Sequence, residues 1–284
     1  MLFKSPGAEA AYRAAYEASL RLWPASPESL DIATSFGVTH VIACGPRDRP
    51  PVVLLPAMSM SATMWYATVA GLCSEFRCYA VDFPSDMGLS IPSNPPASRS
   101  DCAAWLSELL DGLGAAKASF VGASYGGFLA LNYAIEEPTR VGKLVLISPA
   151  AGIVGLWRFY RRLVPLLLFH GGSMIERCMK WIFEDRFPHD HPVLRQMEVG
   201  AHSVQSGIRV FPRVFSDAKL ARISAPVYLL LGEKEVCYDP ESAAKRARRA
   251  ISGARVEILP GAGHLLVMER PDEANKRILA FLRG

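Results

Sequence analysis

The sequence predicts an α/β chain: a doubly wound, mostly parallel sheet interrupted once by an inserted helical cap. Three observations carry this. Short apolar, β-branched runs alternate with helical patterns, as successive βαβ units require. One such run, Ala118 to Val121, passes through Gly122-Ala123-Ser124-Tyr125-Gly126 directly into an apolar helical pattern, which reads as strand, tight turn and helix. From about Ala150 to Asp217 the alternation stops, and aromatic, helix-prone segments follow one another with no strand. The expected division is therefore a core of residues 1–149 and 218–284 with a cap over 150–217. With 284 residues, half of them hydrophobic, the chain can bury a sizeable core.

Taken in order, residues 9 to 23 read as a helix stopped by Pro24, with Ala11, Ala15, Leu20 and Trp23 on its apolar side. The β-rich run from Asp31 to Cys44 predicts one strand or a hairpin, in which His40 is a sheet residue. Pro50 to Leu55 is apolar throughout, as a strand covered on both faces should be. A loop then leads into a helix ending near Cys73. Arg77 to Asp82 is the next strand, Phe83 to Ser90 a turn, and the proline-rich Ile91 to Ala97 a surface loop. Ser100 is the expected cap of a helix carrying Cys102, Trp105, Leu106, Leu109, Leu110 and Leu113 at helical spacing, with Gly114 ending it. The elbow strand follows, then a helix closing before Pro138 and a buried strand from Val141 to Ser148. Within the insertion, helices are expected over Gly155 to Phe169, Met174 to Phe183 and Leu194 to Gln205. The apolar stretch Leu163 to Phe169 is too short to span a bilayer. The sheet resumes at Ala225 to Leu231 and Arg255 to Leu259, with helices over Glu241 to Ile251 and Pro271 to Leu282. Lys245, Arg246, Arg248 and Arg249 read as a solvated outer face.

A net charge of +4, from 31 basic and 27 acidic side chains, argues against nucleic acid or an anionic membrane as partner. The start of the chain carries a charged helical pattern rather than a continuous apolar segment, so a cytoplasmic setting is expected. Cys44, Cys73, Cys78, Cys102, Cys178 and Cys237 lack zinc-type spacing and are expected as reduced core residues. His189-Asp190-His191 reads as a polar loop with no third metal ligand in view, and no metal or cofactor is called for; His170 and His202 have no chemical assignment.

The elbow supplies chemistry. Glycines before and after Ser124 allow strand and helix to pass closely, and the helix amino terminus favours negative charge beside the hydroxyl. A serine is a weak nucleophile, so it needs a base, an orienting carboxylate and oxyanion donors. Pro260-Gly261-Ala262-Gly263-His264, after the last strand, can bring an imidazole over the sheet edge, making His264 the candidate base. The acid is expected in Gly232 to Asp239. Glu235 has the reach, Glu233 is closer to the turn, and Asp239 can cap the helix that begins at Pro240.

Elbow, acid loop and the Gly261-Ala262-Gly263-His264 turn occur in the order nucleophile, acid, histidine, and over nearly the full length the sequence resembles the α/β-hydrolase superfamily, most nearly bacterial carboxylesterases with a helical cap. The resemblance implies that Ser124, Glu235 and His264 are the triad, with the N–H groups of Met58 and Tyr125 as oxyanion donors. Two departures stand out: Pro56-Ala57 replaces the usual His-Gly, and glutamate replaces the usual aspartate. Met60, Trp65, Trp157, Tyr160 and Trp181 are the candidate substrate-binding residues of an apolar pocket for an uncharged, small to medium ester. The serine argues against dehalogenase or epoxide-hydrolase chemistry. The same triad also serves carbon–carbon bond hydrolysis, lactone hydrolysis and perhydrolysis, and a receptor-like binding protein can retain it; turnover assays separate these.

Overall fold

In the computed structural model, which describes residues 3–24, 27–168, 174–184 and 186–284, the chain opens with helix α1 (Pro6–Leu20). It starts earlier than its apolar pattern suggests because Ser5 caps it and Pro6 fills the first turn, where a missing N–H costs nothing. A hairpin of β1 (Glu28–Thr34) and β2 (Gly37–Cys44) follows, settling the one-strand-or-two question and adding residues 28–30 to the first strand. Next come β3 (Pro51–Leu55), a turn of 3-10 helix at Ala62–Trp65 running into α2 (Tyr66–Leu72), and β4 (Arg77–Val81). Within the expected loop, β5 (Ile91–Pro92) pairs with β2. Helix α3 (Arg99–Gly112) is capped by Ser98 rather than Ser100: the Ser98 hydroxyl accepts the Asp101 N–H while the Asp101 carboxylate accepts the Ser98 N–H, two orphan donors satisfied at once.

The elbow pair is β6 (Ala118–Ala123) and α4 (Tyr125–Glu136), followed by β7 (Val141–Ile147). Then come α5 (Trp157–Leu168), α6 (Met174–Phe183), α7 (Pro192–Ser203) and the short α8 (Asp217–Leu220). Among the described residues of this stretch there is no strand, only single bridges at Gly152–Val214 and Phe3–Val204. Phe169 and His170 lie outside the described residues. The chain ends with β8 (Val227–Gly232), α9 (Pro240–Ala250), β9 (Arg255–Leu259), a one-turn α10 (Leu266–Glu269) that periodicity did not reveal, and α11 (Pro271–Arg283).

The strands form one sheet in the order β1-β2-β4-β3-β6-β7-β8-β9, antiparallel over the first pairings and parallel from β4 onward. Parallel strands leave their carboxyl ends at one edge, so the loops after β3, β6, β7 and β8 gather there. Leu54, Leu55, Phe120, Val121, Leu146, Ile147, Leu229 and Leu230 are wholly buried, consistent with helices on both faces. No described helix is long and apolar enough to cross a membrane.

Two corrections concern surface residues. Arg246 is not part of a solvated face: its guanidinium donates to the carbonyls of Ile153 and Phe215 and to Asp217, so it holds both ends of the 150–217 stretch against α9. Cys73 and Cys178 are partly exposed, while the other four cysteines are buried; all six are free thiols.

Candidate active site

The elbow is forced by sterics. Ser124 has φ 49° and ψ −111°, a backbone setting rare for a side chain with a Cβ and held here by the flanking structure. A Cβ on Gly122 would lie 2.4 Å from the Gly126 carbonyl oxygen, and one on Gly126 would lie 2.0 Å from that of Leu55. Both positions therefore exclude every side chain. The Ser124 N–H donates to the Ile147 carbonyl (2.9 Å), and its own carbonyl accepts from Ala150 (2.8 Å) and Phe128 (3.1 Å). The serine is thus anchored to β7 and to the helix it begins.

Three side chains from three loops meet at this edge. His264 Nε2 lies 2.9 Å from Ser124 Oγ, and its Nδ1 lies 2.8 Å from each oxygen of Glu235. Glu235 Oε1 also accepts the Cys237 N–H at 2.8 Å, and all three residues are at least nine-tenths buried. Burial raises the Glu235 carboxyl, but the adjacent imidazole and the Cys237 N–H outweigh it and hold the group below its ordinary range. Burial pulls the His264 imidazole down; the Cys237 and Glu235 side chains reverse this, and we attribute the net rise, well above the ordinary value, to the carboxylate, because burial itself keeps the Cys237 thiol protonated.

The other acidic candidates are occupied elsewhere. Asp239 caps α9, accepting the Ser242 N–H (2.9 Å) and hydroxyl (2.7 Å), and pairs with Arg158 at 3.1 Å. Glu233 accepts the Gly261 N–H at 2.8 Å, inside the turn.

Leu55 pairs with Gly122, so the loop after β3 lies beside the elbow. Tyr125, first residue of α4, has an N–H with no intrahelical acceptor, and Met58 follows β3 by three residues on the adjacent loop. Sequence reasoning missed what holds that loop. Asp86 Oδ2 accepts the N–H of Ser59, itself at φ 61°, at 2.8 Å, and Asp82 accepts the N–H groups of Ala62 (2.7 Å) and Leu89 (2.8 Å) and the Tyr16 hydroxyl (3.0 Å). Burial pushes the Asp86 carboxyl up to about 7 against the pull of the Ser59 and Met87 N–H groups. Asp82 stands at the end of an expected strand and Asp86 in the turn after it, where the pattern gives neither a partner.

The candidate substrate residues divide. Trp157 lines a cleft of about 450 Å³ with Arg158, Arg161, Arg162, Glu235 and Val236, a polar lining rather than the all-apolar one expected. Tyr160, like Trp157, is half exposed, and Trp181 packs its ring against Phe159 at 5.6 Å. Met60 is buried in a small gap shared with Met87 and Met197, and Trp65 is wholly buried. His191 caps α7, accepting the Val193 N–H at 3.3 Å, and stacks near Tyr66 and Phe187. His40 meets Asp31 at 3.0 Å on the β1–β2 hairpin.

Comparison with known proteins gives the family of the chain. The sequence model described as the alpha/beta hydrolase family matches residues 52–277. Two proteins of Bacillus subtilis (strain 168) are similar over nearly the whole chain: the uncharacterized carboxylesterase nap, 39% identical over 96% of this chain and 92% of its own length, and carboxylesterase YbfK, 38% identical over 95% and 93%. The crystal structure of naproxen esterase (carboxylesterase NP) from Bacillus subtilis superposes with a TM-score of 0.91 at 36% identity, covering 98% of this chain and 99% of that one.

Proposed function

The chain belongs to the alpha/beta hydrolase family, and from that premise we propose that it is a serine carboxylesterase in which Ser124, His264 and Glu235 cleave uncharged esters of small to medium size. The observation that carries the reading is the continuous hydrogen-bonded path Ser124 Oγ, His264 Nε2, His264 Nδ1, Glu235. In this mechanism Ser124 Oγ attacks the ester carbonyl as His264 takes its proton, while Glu235 keeps the imidazole in the tautomer that accepts at Nε2 and stabilises the imidazolium. The N–H groups of Met58 and Tyr125 receive the oxyanion, Tyr125 with the added field of the α4 amino terminus. His264 then returns the proton to the departing alcohol, leaving an acyl-serine. Water, deprotonated by the same imidazole, releases the acid.

Residues 150–217 serve in this reading as a lid over a core of 1–149 and 218–284, with Trp157, Tyr160 and Trp181 shaping the entrance and Met60 and Trp65 backing the pocket. A cytoplasmic setting is favoured by six free thiols. The test is reaction with a fluorophosphonate alongside a panel of p-nitrophenyl esters. Labelling at Ser124 and turnover, both abolished in Ser124→Ala with the fold intact, are expected; labelling that survives Ser124→Ala rejects the assignment.

A further inference from the structure

The mechanism leaves one buried side chain at the site without a task. Cys237 Sγ lies 4.0 Å from His264 Nε2, the same nitrogen that faces Ser124 Oγ. Glu235, Cys237 and His264 are, among the described residues, the group of three metal-donor side chains whose ligand atoms all lie within 4.8 Å of one another. Both Glu235 oxygens sit on the Nδ1 side of the ring, so the carboxylate does not compete for Nε2, which faces Ser124 Oγ and Cys237 Sγ. It does for this imidazole what an outer carboxylate does for a metal-bound histidine: it fixes the tautomer, orients the ring and raises the basicity of the free nitrogen.

We propose that Cys237 Sγ and His264 Nε2, with Ser124 Oγ or water completing the shell, form an inhibitory site for a thiophilic divalent cation of the zinc or cadmium type. Zinc stands about 2.3 Å from sulfur and 2.0–2.1 Å from nitrogen, so tetrahedral bonding puts the two donors roughly 3.5 Å apart. The observed 4.0 Å is reached by opening that angle, or closed by a shift of about half an ångström. On binding, the thiol proton leaves to solvent and the thiolate takes the metal; this soft ligand favours zinc and cadmium over magnesium or calcium. The cation occupies the lone pair that must deprotonate Ser124, so it blocks turnover and plays no part in it.

The inhibition arm of the test rests on the ester-hydrolysis reading; the metal-binding arm does not. The full chain, Cys237→Ala and His264→Gln are titrated with cadmium, following thiolate-to-metal absorption, and the first two with zinc, following p-nitrophenyl ester hydrolysis. Zinc is expected to suppress the unaltered chain reversibly, with EDTA restoring the rate. Cys237→Ala should need at least ~100-fold more zinc to lose half of its own uninhibited rate, since loss of even an outer-shell partner costs 10–100-fold. The cadmium band should be one thiolate smaller in Cys237→Ala, and the same step should need at least ~10-fold more cadmium in His264→Gln. That last comparison decides if the cysteine variant does not fold. Equal zinc sensitivity of the unaltered chain and Cys237→Ala, or a cadmium titration unchanged in His264→Gln, overturns the site. A cadmium step that needs both residues in a chain that turns over no ester upholds the site and rejects the esterase reading.

Discussion

Glu235 and Asp239 lie in one loop and hold different partners, so their substitutions separate orientation of the imidazole from helix capping. Glu235→Gln keeps the side chain's size but removes the charge opposite Nδ1; kcat should fall by up to ~10⁴-fold, as when the orienting aspartate of a serine protease becomes asparagine, with little change in melting temperature. Asp239→Asn still caps α9 and should leave kcat near its starting value, whereas Asp239→Ala should cost about 0.5–2 kcal/mol of stability. The reverse outcome would make Asp239 the triad acid. The pH profile reports the same pairing. His264 must be neutral to accept the serine proton, and its raised pKa places the acid limb of kcat/KM above the ordinary histidine value of about 6.5. In Glu235→Gln the remaining activity should show that limb at lower pH, and an unmoved midpoint contradicts the carboxylate as its cause.

Between elements, the loop after β3 is held from β4's side of the sheet. Asp86 is buried, receives the Ser59 N–H beside the proposed oxyanion donor Met58, and titrates near 7. Because its folded pKa lies above the unfolded value of about 3.9, its protonated form is bound more tightly in the native state. That contribution is complete below about pH 4 and is lost as pH rises through 7. Asp86→Asn keeps an acceptor for Ser59 and removes the ionisation. Its stability relative to the unaltered chain should therefore improve between pH 4 and 8, by up to about 4 kcal/mol. Denaturant unfolding at several pH values measures this, and a pH-independent difference rejects it.

At the scale of the whole molecule, two of the ties between the 150–217 stretch and the core have distinct characters. Arg246 holds both of its ends, and Gln196 on α7, fully buried, bonds Tyr12 of α1 and Ser61 and Thr63 of the loop after β3. Arg246→Ala should cost roughly 1.5–3 kcal/mol for each charge-assisted bond that water does not replace, and should speed hydrogen exchange in α5 and α7 more than in β6 and β7. Uniform acceleration would show that the neck is not a separate unit. Replacing Trp157 or Trp181 by alanine should change the ratio of rates on short and long acyl esters more than it changes phosphonate labelling. An unaltered ratio in both variants argues against a lid.

Most of the sheet strands, the strandless stretch after β7, the elbow and the chain order of Ser124, Glu235 and His264 were legible in the sequence, because each rests on a rule that acts within one segment; the two-residue β5 was not. Apolar runs mark buried strands, glycines 122 and 126 mark a close strand–helix passage, and a glycine-bounded histidine marks a loop at a strand's end. Tertiary structure decided what depends on strand order. That order puts the β4 loop against the β3 loop, so that Asp86 meets Ser59; it sets Cys237 beside His264, and α9 beside the ends of the 150–217 stretch, where Arg246 is drawn out of solvent. Ser98 took the cap expected of Ser100 because Asp101 three residues on could answer it. Periodicity reports which face of a segment is buried; a polar side chain's partner is set by what the fold packs opposite it, since a buried charge or donor left unpaired costs more than the local pattern can offset.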